Sequence, residues 1–117
     1  IRAGARFAKM ADHEEKILQS LYQKNKCASN VVEVKSKVSW YGHECLIFER
    51  LSYSLFDVLK YSEFRGIRLD LVRCFAIQLL DTLQSLEDTD IIHCDLKPEN
   101  VLLCKQYERA ELNRLDT

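Results

Sequence analysis

The chain is short of the residues that punctuate structure and of the runs that cross membranes. Its 117 residues include three glycines and one proline, and they form no low-complexity tract, internal repeat or flexible Gly/Ser linker. No stretch approaches the ~20 apolar residues that span a bilayer. The purely apolar runs, such as 45–48 and 101–104, are only a few residues long. No signal-peptide pattern opens the chain, so neither a membrane nor an export route is expected. The five cysteines, at 27, 45, 74, 94 and 104, contain no C-x-x-C pair. Their separations, taken with the three histidines, match no short zinc signature. An odd number of dispersed cysteines points to free thiols in a reducing, intracellular compartment, with nucleus and cytoplasm both open. Neither sign of charge dominates: 17 basic and 18 acidic residues leave a formal net charge of -1. That balance argues against whole-surface attraction to nucleic acid or anionic lipid.

What is present is core material with clear periodicity. The sequence is 47% hydrophobic, enough for a real core at a usual domain size. Phe7, Met10, Glu14, Ile17, Leu18 and Leu21 recur at helical steps and predict a helix over 7–22, with Glu14 on its apolar face and Glu15 towards solvent. Residues 24–30 read as a loop. Residues 31–38 and 45–48 predict two antiparallel strands joined near Gly42, the second more buried and ending on a core Phe48. Trp40, Tyr41 and His43 read as a solvent-edge turn rather than a base-stacking surface, because no basic residues interleave with them. Leu55, Val58 and Leu59 predict a short helix, broken around Gly66. The broad stripe of Val72, Phe75, Ala76, Leu79, Leu80, Leu83 and Leu86 predicts a long buried helix over 70–86, capped by Asp70. Residues 101–103 read as a short strand, and 105–117 carry little pattern.

Between the long helix and that strand stands the most specific segment, His93-Cys94-Asp95-Leu96-Lys97-Pro98-Glu99-Asn100. An acid, a lysine two residues on and an asparagine five residues on can serve one site. Asp95 can accept a hydroxyl proton, or it can simply cap loop backbone. Lys97 can neutralise a transferred phosphoryl group, or it can lie solvated on the surface. Asn100 can offer an amide oxygen to a hard cation such as Mg²⁺, or it can shape an Asx turn. Pro98 stiffens the loop and excludes regular helix there. His93 reads as a satisfied core histidine, and Cys94 as a buried small hydrophobe.

This segment resembles the protein kinase catalytic loop H-R-D-x-x-x-x-N. Cys94 in place of the usual arginine makes it similar to the DYRK/Yak1 branch of the CMGC kinases. The stretch Leu51-Ser52-Tyr53-Ser54-Leu55-Phe56-Asp57-Val58-Leu59, the tripeptide Phe64-Arg65-Gly66 and Ile91-Ile92 before His93 resemble the same branch. The resemblance implies an α+β fragment of the two-lobed kinase fold: C-helix, two small-lobe strands, hinge, first large-lobe helices and catalytic loop. Residues 1–117 would form a partial kinase domain, with 1–48 ending the small lobe, 49–53 the hinge and 54–117 starting the large lobe. It implies ATP and Mg²⁺ as cofactors and protein substrates as partners.

The same resemblance implies residue roles. Asp95 and Lys97 would be catalytic and Asn100 a metal ligand. Glu14 would be the C-helix glutamate that pairs with the ATP-binding lysine. Phe48 would be the gatekeeper, and Glu49 and Leu51 would offer backbone to adenine. Leu102 would form the floor beneath the ring, and Asp57 would face the ribose. Asp116 would stand near the place of the metal-binding Asp of Asp-Phe-Gly, although Thr117 follows it in place of Phe. No Gly-rich loop or strand lysine occurs before Glu14, and no activation segment follows the loop. The expectation is a parent enzyme that moves the γ-phosphoryl of ATP to protein Ser or Thr, with tyrosine self-phosphorylation implied by the family. The 117 residues alone are expected to be inactive. The alternative is a truncated or pseudokinase-like interaction module.

Overall fold

Helical periodicity and one left-handed turn account for most of the architecture. The computed structural model describes residues 4–24 and 30–107. Among them the order is helix α1 (Ala5–Lys24), strands β1 (Val34–Trp40) and β2 (His43–Phe48), helices α2 (Leu55–Tyr61) and α3 (Leu69–Glu87), and a 3₁₀ turn, Pro98–Asn100. The chain divides into two compact units, Ile1–Glu49 with Asp81–Ile91, and Arg50–Leu80 with Ile92–Thr117. The residues of α3 are shared between them.

In the first unit β1 and β2 pair antiparallel, from Val34 opposite Phe48 to Trp40 opposite His43, with a bulge between Val34 and Ser36. Tyr41 and Gly42 close the hairpin at φ of 47° and 76°. Two successive left-handed residues match the right-handed twist of the strands, and glycine at the second position takes that conformation without strain. Trp40 and Tyr41 stack edge to face at this tip, with ring centroids 5.1 Å apart, and both are exposed, as the sequence predicts. Helix α1 lies against the hairpin, chiefly on β2. Ala11 and Leu21 are its buried residues, with Glu15 and Leu18 half-buried beside them, and Ala11 is completely covered, since a methyl side chain permits close approach. Glu14 is exposed and Glu15 half-buried, the reverse of the order expected from apolar spacing. The middle of β2 is half-buried while its end is open, so Phe48 is 36% exposed rather than a core residue.

In the second unit Ser54 caps α2 through a capping box. Its hydroxyl accepts the Asp57 N–H at 3.1 Å, and the Asp57 carboxylate accepts the Ser54 N–H at 2.9 Å. Val58 of α2 is buried, and α2 packs on the 3₁₀ turn. The segment 101–103, expected as a strand, forms only an isolated bridge, at Leu102. It pairs with the segment before α2 through Ser52 N–H to Leu103 O (2.8 Å), Leu103 N–H to Tyr53 O (2.9 Å) and Leu55 N–H to Val101 O (2.8 Å). Asp70 is the second residue of α3 rather than its cap, and it pairs with Arg68. The apolar stripe of α3 is only partly covered: Phe75 and Leu79 are half-buried, whereas Val72, Leu83 and Leu80 are exposed. At its C-terminal end Leu86 is buried, and its carbonyl accepts the Ile91 N–H at 2.9 Å.

Candidate active site

The polar loop 93–100 is held from two sides. After it, the 101–103 pairing anchors the backbone. Within it, Pro98 opens the 3₁₀ turn, where its missing N–H costs nothing because the first helical donors have no intrahelical partner. The turn is closed by the Asn100 N–H on the Lys97 carbonyl at 2.9 Å. Pro98 therefore opens a single three-residue 3₁₀ turn, with no regular helix there. Before it, Cys94 takes a left-handed φ of 66°, a strained state for a side chain with a Cβ. This bend lets His93 Nδ1 accept the Asp95 N–H at 3.2 Å.

The turn brings Asn100 back onto Asp95. The Asn100 amide donates to the Asp95 carbonyl at 2.8 Å and to its Oδ2 at 3.1 Å. Lys97 Nζ reaches the same Oδ2 at 3.1 Å. The three residues singled out from spacing thus meet at one carboxylate oxygen. The Lys97 hydrogen bond, followed by that from Asn100 and the charge of Lys97, holds the Asp95 carboxyl below the usual carboxylate range. With Nδ2 committed to Asp95, Oδ1 is the Asn100 atom turned away from it, a neutral oxygen of the kind Mg²⁺ accepts. Among the described residues no cluster of three or more His, Cys, Asp or Glu could itself hold a metal ion.

Two expectations for the loop are corrected. His93 and Cys94 are both exposed, not core residues. The loop spends its contacts on the turn and the 101–103 pairing, which leaves the other face of 92–100 to solvent, including Ile92 at 84% exposure. Asp57 is half-buried, with its carboxylate engaged by the Ser54 hydroxyl at 2.7 Å.

The other candidates lie as follows. Leu102 is 41% exposed and bridges to Ser54 in the second unit, where Leu51 is half-buried. In the first unit Glu49 is half-buried. Its N–H donates to the Glu33 carbonyl at 3.0 Å, and its carboxylate accepts the Glu33 N–H at 2.9 Å. Glu14 and Phe48 also belong to this unit, each exposed as described. Asp116 and Cys27 lie outside the described residues, and the four described cysteines are free. No described helix is long and apolar enough to cross a membrane. Lys37 carries no mark in the sequence spacing. This β1 residue meets Asp12, Glu15 and Glu44, a convergence that no local sequence pattern announces. The Ser54–Asp57 capping box, by contrast, has a legible S-x-x-D spacing.

A protein-family model described as "Protein kinase domain" matches residues 4–113. Human dual specificity tyrosine-phosphorylation-regulated kinase 3 is 38% identical over 117 residues, covering 99% of this chain and 20% of that protein. A putative Drosophila melanogaster homolog of the same kinase is 40% identical, covering 99% of the chain and 14% of its own length. Yeast dual specificity protein kinase YAK1 is 47% identical over 75 residues, 64% of the chain and 9% of the yeast protein. A crystal structure of a kinase domain superposes with a TM-score of 0.82 at 30% identity, over 90% of this chain and 31% of that one. The chain spans about a fifth or less of the length of these curated relatives, and its fold is an α+β fragment of theirs. The chain belongs to the eukaryotic protein kinase family, as a partial catalytic domain closely related to the DYRK/Yak1 branch of the CMGC group.

Proposed function

We propose that the protein containing these residues transfers the γ-phosphoryl group of ATP to hydroxyl groups of protein substrates, chiefly Ser and Thr. The observation that carries this reading is the meeting of Lys97 and Asn100 on Asp95 Oδ2. In this reading the Asp95 carboxylate, kept ionised by those neighbours, orients the acceptor hydroxyl and takes its proton as the oxygen attacks phosphorus. Lys97 offsets the negative charge on the phosphoryl oxygens in flight. Asn100 Oδ1 would hold Mg²⁺, with Asp116 a further candidate ligand; the bound cation would neutralise phosphate charge. Leu102 would lie under the adenine, Phe48 would bound its pocket, and Glu49 and Leu51 would meet it through backbone across the hinge 49–53. Because the Glu49 N–H is already donated, Glu49 would contribute its carbonyl. Glu14 would pair with the lysine that grips the phosphates. The names of the relatives also support tyrosine as a further acceptor.

The test is transfer of radiolabelled γ-phosphate by the full-length protein to Ser, Thr and Tyr peptides. Incorporation that Asp95→Asn abolishes is the expected result. An unaltered rate in Asp95→Asn, or none in the wild type, overturns the reading. The 117-residue chain by itself is expected to transfer nothing detectable.

A further inference from the structure

Two adjacent glutamates on α1 compete for one position. Successive helical residues are about 100° apart, so Glu14 and Glu15 cannot both face the hairpin. Apolar spacing favours Glu14, yet Glu15 is the one that turns inward. Beside the close approach at Ala11, a charged constraint stands on β1. Lys37 pairs with Asp12, lies 3.8 Å from Glu15 one helical turn further on, and lies 3.8 Å from Glu44 diagonally across the hairpin. Its side chain is only 22% exposed.

We propose that Lys37 is a positioning residue, one that pins the rotation of α1 so that Glu15 faces the sheet and Glu14 stays presented outward for the ATP-binding lysine. The proposal rests on the kinase reading of Glu14. A lone surface ion pair contributes little, because two long side chains must be ordered for a small Coulomb gain. Here one largely covered cation serves three carboxylates from two elements, so its ordering is shared and its removal leaves three like charges facing one another. The effect is on register more than on stability: turning α1 by one residue would bring Glu14 to Lys37 and carry Asp12 and Glu15 off it. The raised pKa of Lys37, caused first by its hydrogen bond to Asp12, agrees with a permanently charged pin.

The experiment uses the full-length protein and measures KM for ATP and for a protein acceptor separately, alongside amide hydrogen exchange of α1. Lys37→Gln is expected to raise the KM for ATP about fivefold, leave the KM for the acceptor unchanged and speed exchange in α1. Lys37→Arg is expected to restore ATP binding to within about twofold, since it keeps the charge. Asp12→Asn combined with Glu15→Gln should mimic Lys37→Gln, and joining all three should add little, as coupled sites do. A general loss of folded protein would instead lower kcat with both KM values intact, and that result overturns the proposal. So does an unchanged KM for ATP in Lys37→Gln while the wild type phosphorylates its acceptor, which leaves the kinase reading standing. A wild type without phosphotransfer removes the kinase reading and the positioning role together, whatever α1 exchange shows.

Discussion

Asn100 holds Asp95 by two atoms at once, giving its amide hydrogens to the carbonyl at 2.8 Å and to Oδ2 at 3.1 Å. The residue that would meet the cation therefore also fixes the residue that would meet the acceptor, and a change in one is felt by the other.

Asn100→Asp tests that coupling. It keeps an oxygen for a cation but replaces a donor with a like charge about 3 Å from the Asp95 carboxylate, which raises the Asp95 pKa. The acidic limb of the kcat/KM profile of the full-length protein is expected to move to higher pH, and kcat at neutral pH to fall by about a hundredfold or more. An acidic limb that stays in place shows that the hydrogen bond does not tune Asp95.

Lys97→Met should shift the same limb in the same direction without adding a negative charge. Asp95 is depressed below its ordinary value first by the Lys97 hydrogen bond, so the carboxylate stays ionised until the pH falls through that lowered pKa. Without Lys97 it protonates at a higher pH, and activity is lost earlier on acidification. Steady-state rates followed from neutral pH down through the ordinary Asp range, about pH 4, check the sign.

Ser54→Ala removes the hydroxyl that accepts the Asp57 N–H and the partner that holds the Asp57 carboxyl below its usual range. The expected loss is about 1 kcal/mol of stability, by denaturant titration at neutral pH. The cap stabilises above the ordinary Asp pKa and fades as the pH falls through the lowered native one. The wild-type advantage should therefore shrink on acidification.

Gly42→Ala meets no atom within 4 Å of the new Cβ, so only the left-handed φ of 76° opposes it. A loss of about 1 kcal/mol is expected, with an unchanged far-ultraviolet spectrum. A much larger loss would mean that the hairpin tip is packed rather than open.

Much of this was legible in the sequence because it is local. The heptad-like recurrence in α1 and α3, the turn at Gly42 and the spacing from Asp95 to Asn100 depend on residues within a few positions of each other. What sequence hid depends on partners far along the chain. Periodicity shows that Val72, Leu80 and Leu83 share a face of α3, but not whether anything covers it. In α1 the expected Leu21 is buried, but Met10 and Glu14 are exposed, while Ala11, absent from the expected stripe, is fully covered because its small side chain admits close approach. His93 and Cys94 read as core from their neighbours, yet a loop that anchors itself through backbone turns its side chains outward.

The pairing of 52–55 with 101–103 joins points almost half the chain apart. Closing so long a circuit costs entropy before it returns any contact, so the reactive loop should acquire its shape late, when the rest of its unit is already assembled. The same slow growth of cost with length makes the intervening connection at 62–68 a place where extra residues could be inserted while Asp95, Lys97 and Asn100 still find one another.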